Sequence, residues 1–349
     1  MLSRFFSRFL TQDIAMDLGT ANTLLYTRKH GIFINEPSVV AVDASSRKVL
    51  AVGAAAKEYL GRTPQNICAI RPMKDGVIAD FDITREMIAH FVGKCISGLR
   101  LVKPSMVICI PTGITQVEKK AVIDAAMLSG ARSVSLVEEP MAAAIGAGMP
   151  VQEPLGNLVL DIGGGTSDIA VLSLNGIVCK SSVKMAGNKM NAAIVRYVRS
   201  TYNVLIGDST ADRVKREIGT VWTEGQPEKT VEVKGRNLVT GLPQKITLSS
   251  YELEMPLRVE VERIISALQS VMEQTPPELV ADIEKNGLLM TGGGAMLDGL
   301  DKLITNRVRI RAHLAENPVE AVAIGTGKSF EYLGKLYDGF VSYTNYSSR

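Results

Sequence analysis

Two short segments carry the residue types that handle phosphate. Residues 16–23 (MDLGTANT) and 160–168 (LDIGGGTSD) repeat one pattern: a hydrophobic run ending in Asp, one apolar residue, glycine and hydroxyls, then a second apolar run. The pattern predicts a β-hairpin with a turn rich in glycine and hydroxyl groups. Gly19 in the first turn, and Gly163, Gly164 and Gly165 in the second, permit positive φ and close backbone approach. Successive free N–H groups in such turns form an anion-binding concavity. Thr20, Asn22, Thr23, Thr166 and Ser167 would add side-chain donors to phosphate oxygens. Asp17 and Asp161 end their strands at the mouth of the same cleft. Carboxylates repel a polyphosphate unless a cation intervenes. Mg²⁺ is the expected cation, held by Asp17 and Asp161 through water. The bland alternative is a Gly-rich hairpin with Asp as turn former; two matching copies favour phosphate.

A third glycine cluster, residues 291–295 (TGGGA), follows a strand at 288–290 and precedes a helical run from Met296. Strand, glycines and helix in that order bring backbone close to a ligand. Gly292, Gly293, Gly294 and Met296 are therefore expected on the adenosine side of a nucleotide. Asp212, Lys215 and Arg216 share one helical face at i, i+3 and i+4, with Gly219 just beyond. Alone they read as a solvated, salt-bridged surface.

The elements that must position these residues alternate in type. Strands are expected at 14–18, 39–42, 106–110, 158–162, 169–174 and 288–290, and helices at 85–99, 116–129, 140–147, 191–202, 211–218 and 256–274. Residues 230–248 read as two strands of a small β-rich insertion. The two hairpin motifs stand about 144 residues apart, too far for a solenoid repeat. They predict two similar α/β domains with a nucleotide in the cleft between them.

Composition bounds the function. The 349 residues are 46% hydrophobic and 21% charged, enough for two cores. Lys and Arg number 39 against 36 acids, so there is no electrostatic footprint for nucleic acid. Cys68, Cys95, Cys109 and Cys179 are widely spaced and read as small buried hydrophobes rather than disulfide partners or metal ligands. His30, His90 and His313 stand alone, as surface or packing residues. No run of about 20 apolar residues predicts a membrane-spanning helix.

The N-terminal MLSRFFSRFL has Arg and Ser within its apolar stretch and lacks a cleavage site, so it is not read as a signal peptide. Leu2, Phe5, Phe6, Phe9 and Leu10 recur at helical spacing, with Arg4 and Arg8 on the flank. This predicts an interfacial amphipathic helix over residues 1–11, its arginines toward anionic headgroups. Each apolar side chain contributes on the order of 1 kcal/mol on partial burial, and ordering a short helix offsets much of that. One copy binds weakly; an array binds firmly. The alternative is a helix packed on its own domain.

The motifs MDLGTANT, INEPSVV, RPMKDGVIADF, EEPMAAAIGAG, LDIGGGTSDIAVLS, EIGT and MTGGGAML, in this order, resemble the MreB family. These are the bacterial actin-like shape proteins of the actin, Hsp70 and sugar-kinase superfamily. The resemblance covers about residues 13–336. It implies the actin-like ATPase fold: two duplicated α/β domains, each with a smaller inserted subdomain, and ATP with Mg²⁺ in the interdomain cleft. Domain I would span 12–143 and 317–336, with an insertion at about 32–72. Domain II would span 144–316, with an insertion at about 220–250. Residues 337–349 are left as a tail, with disorder as one reading.

By the same resemblance, residues 17–23, Ala21 included, form the first phosphate loop and 161–167 the second. Asp212, Lys215, Arg216 and Gly219 contact the adenosine. Glu139 positions the attacking water and Thr166 assists it. Without the resemblance Glu139 reads as a helix N-terminal charge ahead of Pro140; Glu138 reads as a surface or structural acid. Leu99, Leu101 and Val102 resemble the family's membrane-facing loop, and buried strand entry is an equal reading. One departure stands out: in AGNKMN, Asn188 and Asn191 replace two acids usual in the family, so slow hydrolysis is expected.

The implied function is an ATP-dependent cytoskeletal protein that polymerises into membrane-associated filaments and organises cell-wall synthesis to set cell shape. Its partners would be itself, in paired protofilaments, the inner face of the cell membrane, and membrane-bound morphogenesis and cell-wall synthesis proteins, in the cytoplasm. The alternative is a small-molecule kinase of the same superfamily, for which no sugar-binding constellation is found. A chaperone reading lacks room for a peptide-binding domain, with 22 residues after Gly327. Division-type actin homologues carry a C-terminal membrane motif, whereas here the amphipathic segment is N-terminal.

Overall fold

A computed structural model describes residues 13–95, 103–332 and, as backbone, 340–344. The amphipathic segment 1–11 and the patch at Leu99, Leu101 and Val102 lie outside the described residues. Among the described residues no helix is long and apolar enough to cross a membrane.

Near-continuous apolar runs make strands buried on both faces, and such strands pair in parallel under covering helices. Ile14–Leu18 (β1) is one. It pairs antiparallel with Asn22–Thr27 (β2), which pairs with Gly31–Pro37 (β3). On its other side β1 runs parallel to Ser105–Ile110 (β9), which runs parallel to Ser133–Glu138 (β10). The second half repeats this plan. Asn157–Ile162 (β11), Ser167–Ser173 (β12) and Gly176–Val183 (β13) form the antiparallel meander, and Leu288–Thr291 (β17) and Ala312–Leu314 (β18) extend it in parallel. Strand orders β3-β2-β1-β9-β10 and β13-β12-β11-β17-β18 are thus the same topology twice.

Each half carries a small sheet. Val40–Asp43 (β4) pairs with Val49–Val52 (β5) and Ile67–Ile70 (β6), beside a short hairpin of Met73–Lys74 (β7) and Val77–Ile78 (β8). In the second half Val204–Leu205 (β14), Thr230–Asn237 (β15) and Pro243–Ser249 (β16) form three strands.

Several boundaries differ from the sequence expectation. Phe340–Thr344 (β19), placed in the C-terminal tail, pairs antiparallel with β10 and closes the edge of the first sheet. Its FVSYT sequence has the β-branched and aromatic content that suits an edge needing cover. The helix expected over 85–99 begins at Phe81, where the Asp80 carboxylate accepts the Ile83 N–H. The helix expected from Pro256 begins at Ser250, because the Ser249 hydroxyl accepts the Glu252 N–H and outcompetes proline as the start. Pro256 then lies inside the helix, at the cost of one backbone bond.

Two cores fill the halves. Met16, Met106 and Ile108 pack against Met87 and Phe91 of the Phe81–Cys95 helix in the first. Leu158 and Leu160 pack against Ile264 and Leu268 of the Ser250–Gln274 helix in the second. A third apolar cluster takes residues from both sheets, Val107 and Val137 with Val159 and Leu289, and holds Met141 and Val322. The helices Glu139–Gly146 and Ala321–Lys328 therefore pass between the two sheets. They cross at glycine: a Cβ on Gly325 would lie 1.7 Å from the Ala142 carbonyl oxygen, and one on Gly146 would lie 1.8 Å from that of Ala321. No side chain fits.

Gly325→Ala should accordingly lower stability by about 1–3 kcal/mol through overpacking against backbone. Gly93, exposed in the last turn of the Phe81–Cys95 helix, has open space where a Cβ would go. Gly93→Ala should raise stability by roughly 0.5–1 kcal/mol. Denaturant midpoints for both variants check this; shifts of the same sign would contradict the crossing.

Candidate functional site

The two hairpin turns meet tip to tip. A Cβ on Gly164 would stand 2.6 Å from the Ala21 Cβ, and one on Gly165 would stand 2.5 Å from the Thr20 hydroxyl. Between the halves lies a cavity of about 460 Å³, within the range of small-ligand and cofactor sites. Its floor is Asp17, Asp161 and Glu139. Gly19, Thr20, Ala21 and Asn22 line one side, and Gly163, Gly164, Gly165 and Thr166 the other. Asp212, Lys215, Arg216 and Gly219 line the far end with Gly292, Gly293, Gly294 and Met296.

Two expected phosphate donors are not there. Thr23 follows Asn22 along β2, so strand alternation turns it away; it is fully buried with its hydroxyl paired to Ser38 at 2.9 Å. Ser167 begins β12 and is fully buried, its hydroxyl donating to the Met185 carbonyl. Both belong to the walls behind the cavity.

The cavity also includes Gly76, Gly187, Glu217, Lys229 and Asp298, which the sequence reading missed, and Asn188, which it noted only as a departure from the family. Gly76 (φ +79°) and Asp75 (φ +49°) form the turn between β7 and β8. The Gly76 N–H donates to the Thr20 hydroxyl at 3.0 Å, and a Cβ there would meet Pro111 and Thr166. The signal was present, since the Asp-Gly pair of MKDGVI is a strong hairpin marker. Gly187 and Asn188 open the Gly187–Tyr202 helix, whose first N–H groups donate to the carbonyls of Gly163 (3.1 Å) and Gly164 (2.9 Å). That ties the second loop to the helix and starts the helix four residues before the expected 191. Glu217, Lys229 and Asp298 complete the far rim, the last two paired at 3.2 Å.

On the Asp208–Ile218 helix, Asp212 holds Lys215 at 3.3 Å and Arg216 at 2.9 Å. The Lys215 ammonium also donates to the Gly187 carbonyl at 3.1 Å, linking this helix to the start of the Gly187–Tyr202 helix. In the third glycine cluster Gly292 adopts φ +84°, and a Cβ there would fall 2.2 Å from the Ile162 carbonyl oxygen. Only glycine lets this loop lie against β11.

The floor is electrostatically loaded. Burial pushes Asp17 up to about 7, opposed by a hydrogen bond from the Cys109 thiol and reinforced by the charge of Asp161. Burial raises Asp161 to about 6, against the Thr291 hydroxyl that donates to it at 2.7 Å. Glu139, first residue of its helix, is driven well above the carboxylate range by burial and then by Asp168, Asp161 and Asp17. Asp168 is raised to about 7 by burial, although the Thr112 N–H donates to its Oδ1 at 2.7 Å and the Ser182 and Thr166 hydroxyls also act to lower it. Glu138 differs: it is buried, takes the Lys180 ammonium at 2.8 and 3.0 Å, and accepts from the Thr112 hydroxyl at 3.2 Å. It is a structural acid joining the halves. Carboxylate oxygens in excess of donors, at the floor of an open cleft, fit a hard divalent cation.

Comparison with known proteins places this geometry. The chain matches the family described as MreB/Mbl protein over residues 11–338. It is 51% identical over 326 residues to the cell shape-determining protein Mbl of Bacillus subtilis (strain 168), covering 93% of this chain and 97% of that one. It is 49% identical over 339 residues to the cell shape-determining protein MreB of Escherichia coli (strain K12), covering 95% and 97%. The crystal structure of MreB5 of Spiroplasma citri bound to ADP superposes with a TM-score of 0.87 at 36% identity, covering 93% of this chain and 97% of that one. The same protein bound to AMPPNP gives 0.88 at 34% identity, with the same coverage.

A carboxyl whose folded pKa is raised costs stability as pH climbs from its ordinary value to the raised one. For Asp161 that window runs from 3.8 to about 6. Asp161→Asn keeps an acceptor for Thr291 and removes the charge. Above pH 7 the nucleotide-free variant should be more stable than the parent by on the order of 1–3 kcal/mol, and near pH 4 the two should match. Thermal unfolding across pH checks this; a variant less stable at pH 8 than the parent would contradict the crowded floor.

Proposed function

The chain belongs to the MreB/Mbl family and has the actin-like fold, and from that premise we propose that it is an ATP-hydrolysing filament protein. It assembles on the inner face of the cytoplasmic membrane and organises cell-wall synthesis to set cell shape. The observation that carries this reading is the pair of matching hairpins closing on one cavity above a carboxylate floor. That MreB5 was solved with ADP and with AMPPNP supports the nucleotide; the named roles of Mbl and MreB support cell shape over the kinase alternative.

In this reading the N–H groups at 19–22 and 164–166 grip the phosphates, the Gly163 N–H being taken by the Thr166 carbonyl at 2.9 Å. Asp212, Lys215, Arg216 and Gly219, with Gly292, Gly293, Gly294 and Met296, hold the adenosine. Asp17 and Asp161 would hold Mg²⁺, which would supply charge neutralisation for the phosphates. Glu139 accepts a hydrogen bond from water and orients it toward the γ-phosphorus, and Thr166 steadies the same water from the opposite loop. Phosphoryl transfer needs this positioning more than covalent chemistry. Asn188 and Asn191, in place of acids, favour slow turnover.

Self-assembly end to end, paired protofilaments, and contact with membrane-bound morphogenesis and cell-wall synthesis proteins complete the proposal. Residues 1–10, with Leu2, Phe5, Phe6, Phe9 and Leu10 as the apolar face, supply weak single-copy membrane binding that a filament multiplies.

Glu139→Gln should reduce phosphate release by about 100-fold while ATP binding persists. Liposome co-sedimentation with ATP separates the remaining elements. The intact chain should pellet as filaments on anionic vesicles, and a chain lacking residues 1–10 should not. Equal pelleting of both removes the anchor from the proposal; phosphate release only on addition of a small hydroxyl substrate replaces the filament with a kinase.

A further inference from the structure

The side chain that orients water is itself held by residues that do not line the cavity. Glu138, its neighbour in the chain, ends β10 in the first half and is 5% exposed. The Lys180 ammonium, on β13 of the second half, donates to both Glu138 oxygens at 2.8 and 3.0 Å. Thr112, just beyond β9, reaches both sides. Its hydroxyl donates to Glu138 at 3.2 Å and its N–H donates to Asp168 Oδ1 at 2.7 Å. Asp168, on β12 of the second half, is fully buried and also shares hydrogen bonds with Ser182, Thr166 and the Glu139 carboxyl.

Strand register brings these groups together. Ser182 on β13 is the direct partner of Asp168 on β12, and Lys180 stands two residues earlier on β13. Alternation turns Lys180 and Ser182 to the same face. The two strands therefore present an ammonium to Glu138 and a carboxylate to Thr112 side by side. Both restraints on Glu139 cross between the halves: its backbone follows Glu138, gripped by Lys180, and its carboxyl meets Asp168, gripped by Thr112. A buried carboxylate that loses its ammonium is left uncompensated, so the grip is sensitive to small displacements.

We propose that Lys180 is a positioning residue for Glu139: through Glu138, Thr112 and Asp168 it ties the setting of the two halves to the direction of the Glu139 carboxyl. Glu139 is aimed into the cleft while β13 stands against the end of β10. A turn of one half that parts Lys180 from Glu138 releases Glu139 and ends water orientation without emptying the cleft. The effect on hydrolysis rests on the ATPase reading; the strap itself does not.

The test uses the full-length chain carrying Lys180→Met, which removes the charge and keeps the stem. Phosphate release at saturating ATP with Mg²⁺ should fall about tenfold, since a misaimed group costs rate. The KM for ATP should stay within about twofold. Lys180→Arg, which returns a cation to Glu138, should recover at least about half of the rate. Arg71→Gln cuts another ion pair across the halves, Arg71–Asp208 at 3.0 Å, and should leave the rate within about twofold. In the nucleotide-free chain, hydrogen exchange at the Thr112 amide should quicken about tenfold in Lys180→Met and return in Lys180→Arg. Thr112→Val keeps the amide and removes the hydroxyl from Glu138; it should slow release about threefold, and it decides the matter if Lys180→Met does not fold. An unchanged rate in the deciding variant, equal slowing in Arg71→Gln, or unchanged Thr112 exchange in Lys180→Met overturns the proposal. If the parent hydrolyses no ATP with Mg²⁺, the ATPase reading fails alone, and Thr112 exchange still decides whether Lys180 holds the strap.

Discussion

Negative charge gathers where the two halves meet. Asp17 and Asp161 come from the equivalent first strands of the two sheets, Glu139 from the helix between them, and Asp168 from the second hairpin. Like charges in a place of low dielectric disfavour one another's ionisation. The fold holds them there because every one is carried on an element whose apolar side chains are committed to a core. Hydrophobic burial along β1 and β11 fixes the backbone, and the aspartate at each strand's end has nowhere else to point. In the proposed reading a cation relieves this crowding and lets a polyphosphate enter the cleft.

The duplicated topology explains why the charges converge rather than scatter. In each half the hairpin is followed in space by a parallel strand, β9 beside β1 and β17 beside β11. Parallel neighbours end at the same edge, so loops after these strands gather on one side. Thr291 at the end of β17 reaches Asp161, and Cys109 near the end of β9 reaches Asp17. The paired helices between the sheets, crossing at Gly146 and Gly325, set how close the two edges come. Larger residues there would part the hairpin tips that now touch at Ala21–Gly164 and Thr20–Gly165.

Much of this was legible in the chain, for identifiable reasons. β1, β9, β11 and β17 are apolar runs long enough to name themselves, and the repeated Asp–apolar–Gly pattern located both hairpins. Thr23 and Ser167 were misplaced because hydroxyl type was weighed and strand alternation was not. The first turn of the Gly187–Tyr202 helix was missed because glycine and asparagine are poor helix formers; carbonyls of the second hairpin, a tertiary contact, hold it open at that end. β19 escaped for a related reason. Its partner, β10, lies some two hundred residues earlier, and nothing local announces the pairing. Cys109 was read as a small hydrophobe from its apolar neighbours, and only strand register reveals that its thiol meets a carboxylate.

Glu138 and Glu139 show how the same residue type acquires opposite roles in one step of chain. Glu138 ends a strand and Glu139 begins a helix, so their side chains leave the backbone in different directions. Glu138 reaches Lys180 across the halves and is satisfied by ammonium and hydroxyl. Glu139 turns inward to three aspartates, and among the described residues no lysine or arginine pairs with it, with Asp17 or with Asp161. Cations of the chain are spent at the rim: Lys180 on Glu138, Lys215 and Arg216 on Asp212, Lys229 on Asp298. The floor is therefore left for charge that arrives from outside. That division of labour leaves burial, and then the charges of Asp168, Asp161 and Asp17, to hold the Glu139 carboxyl well above its ordinary range.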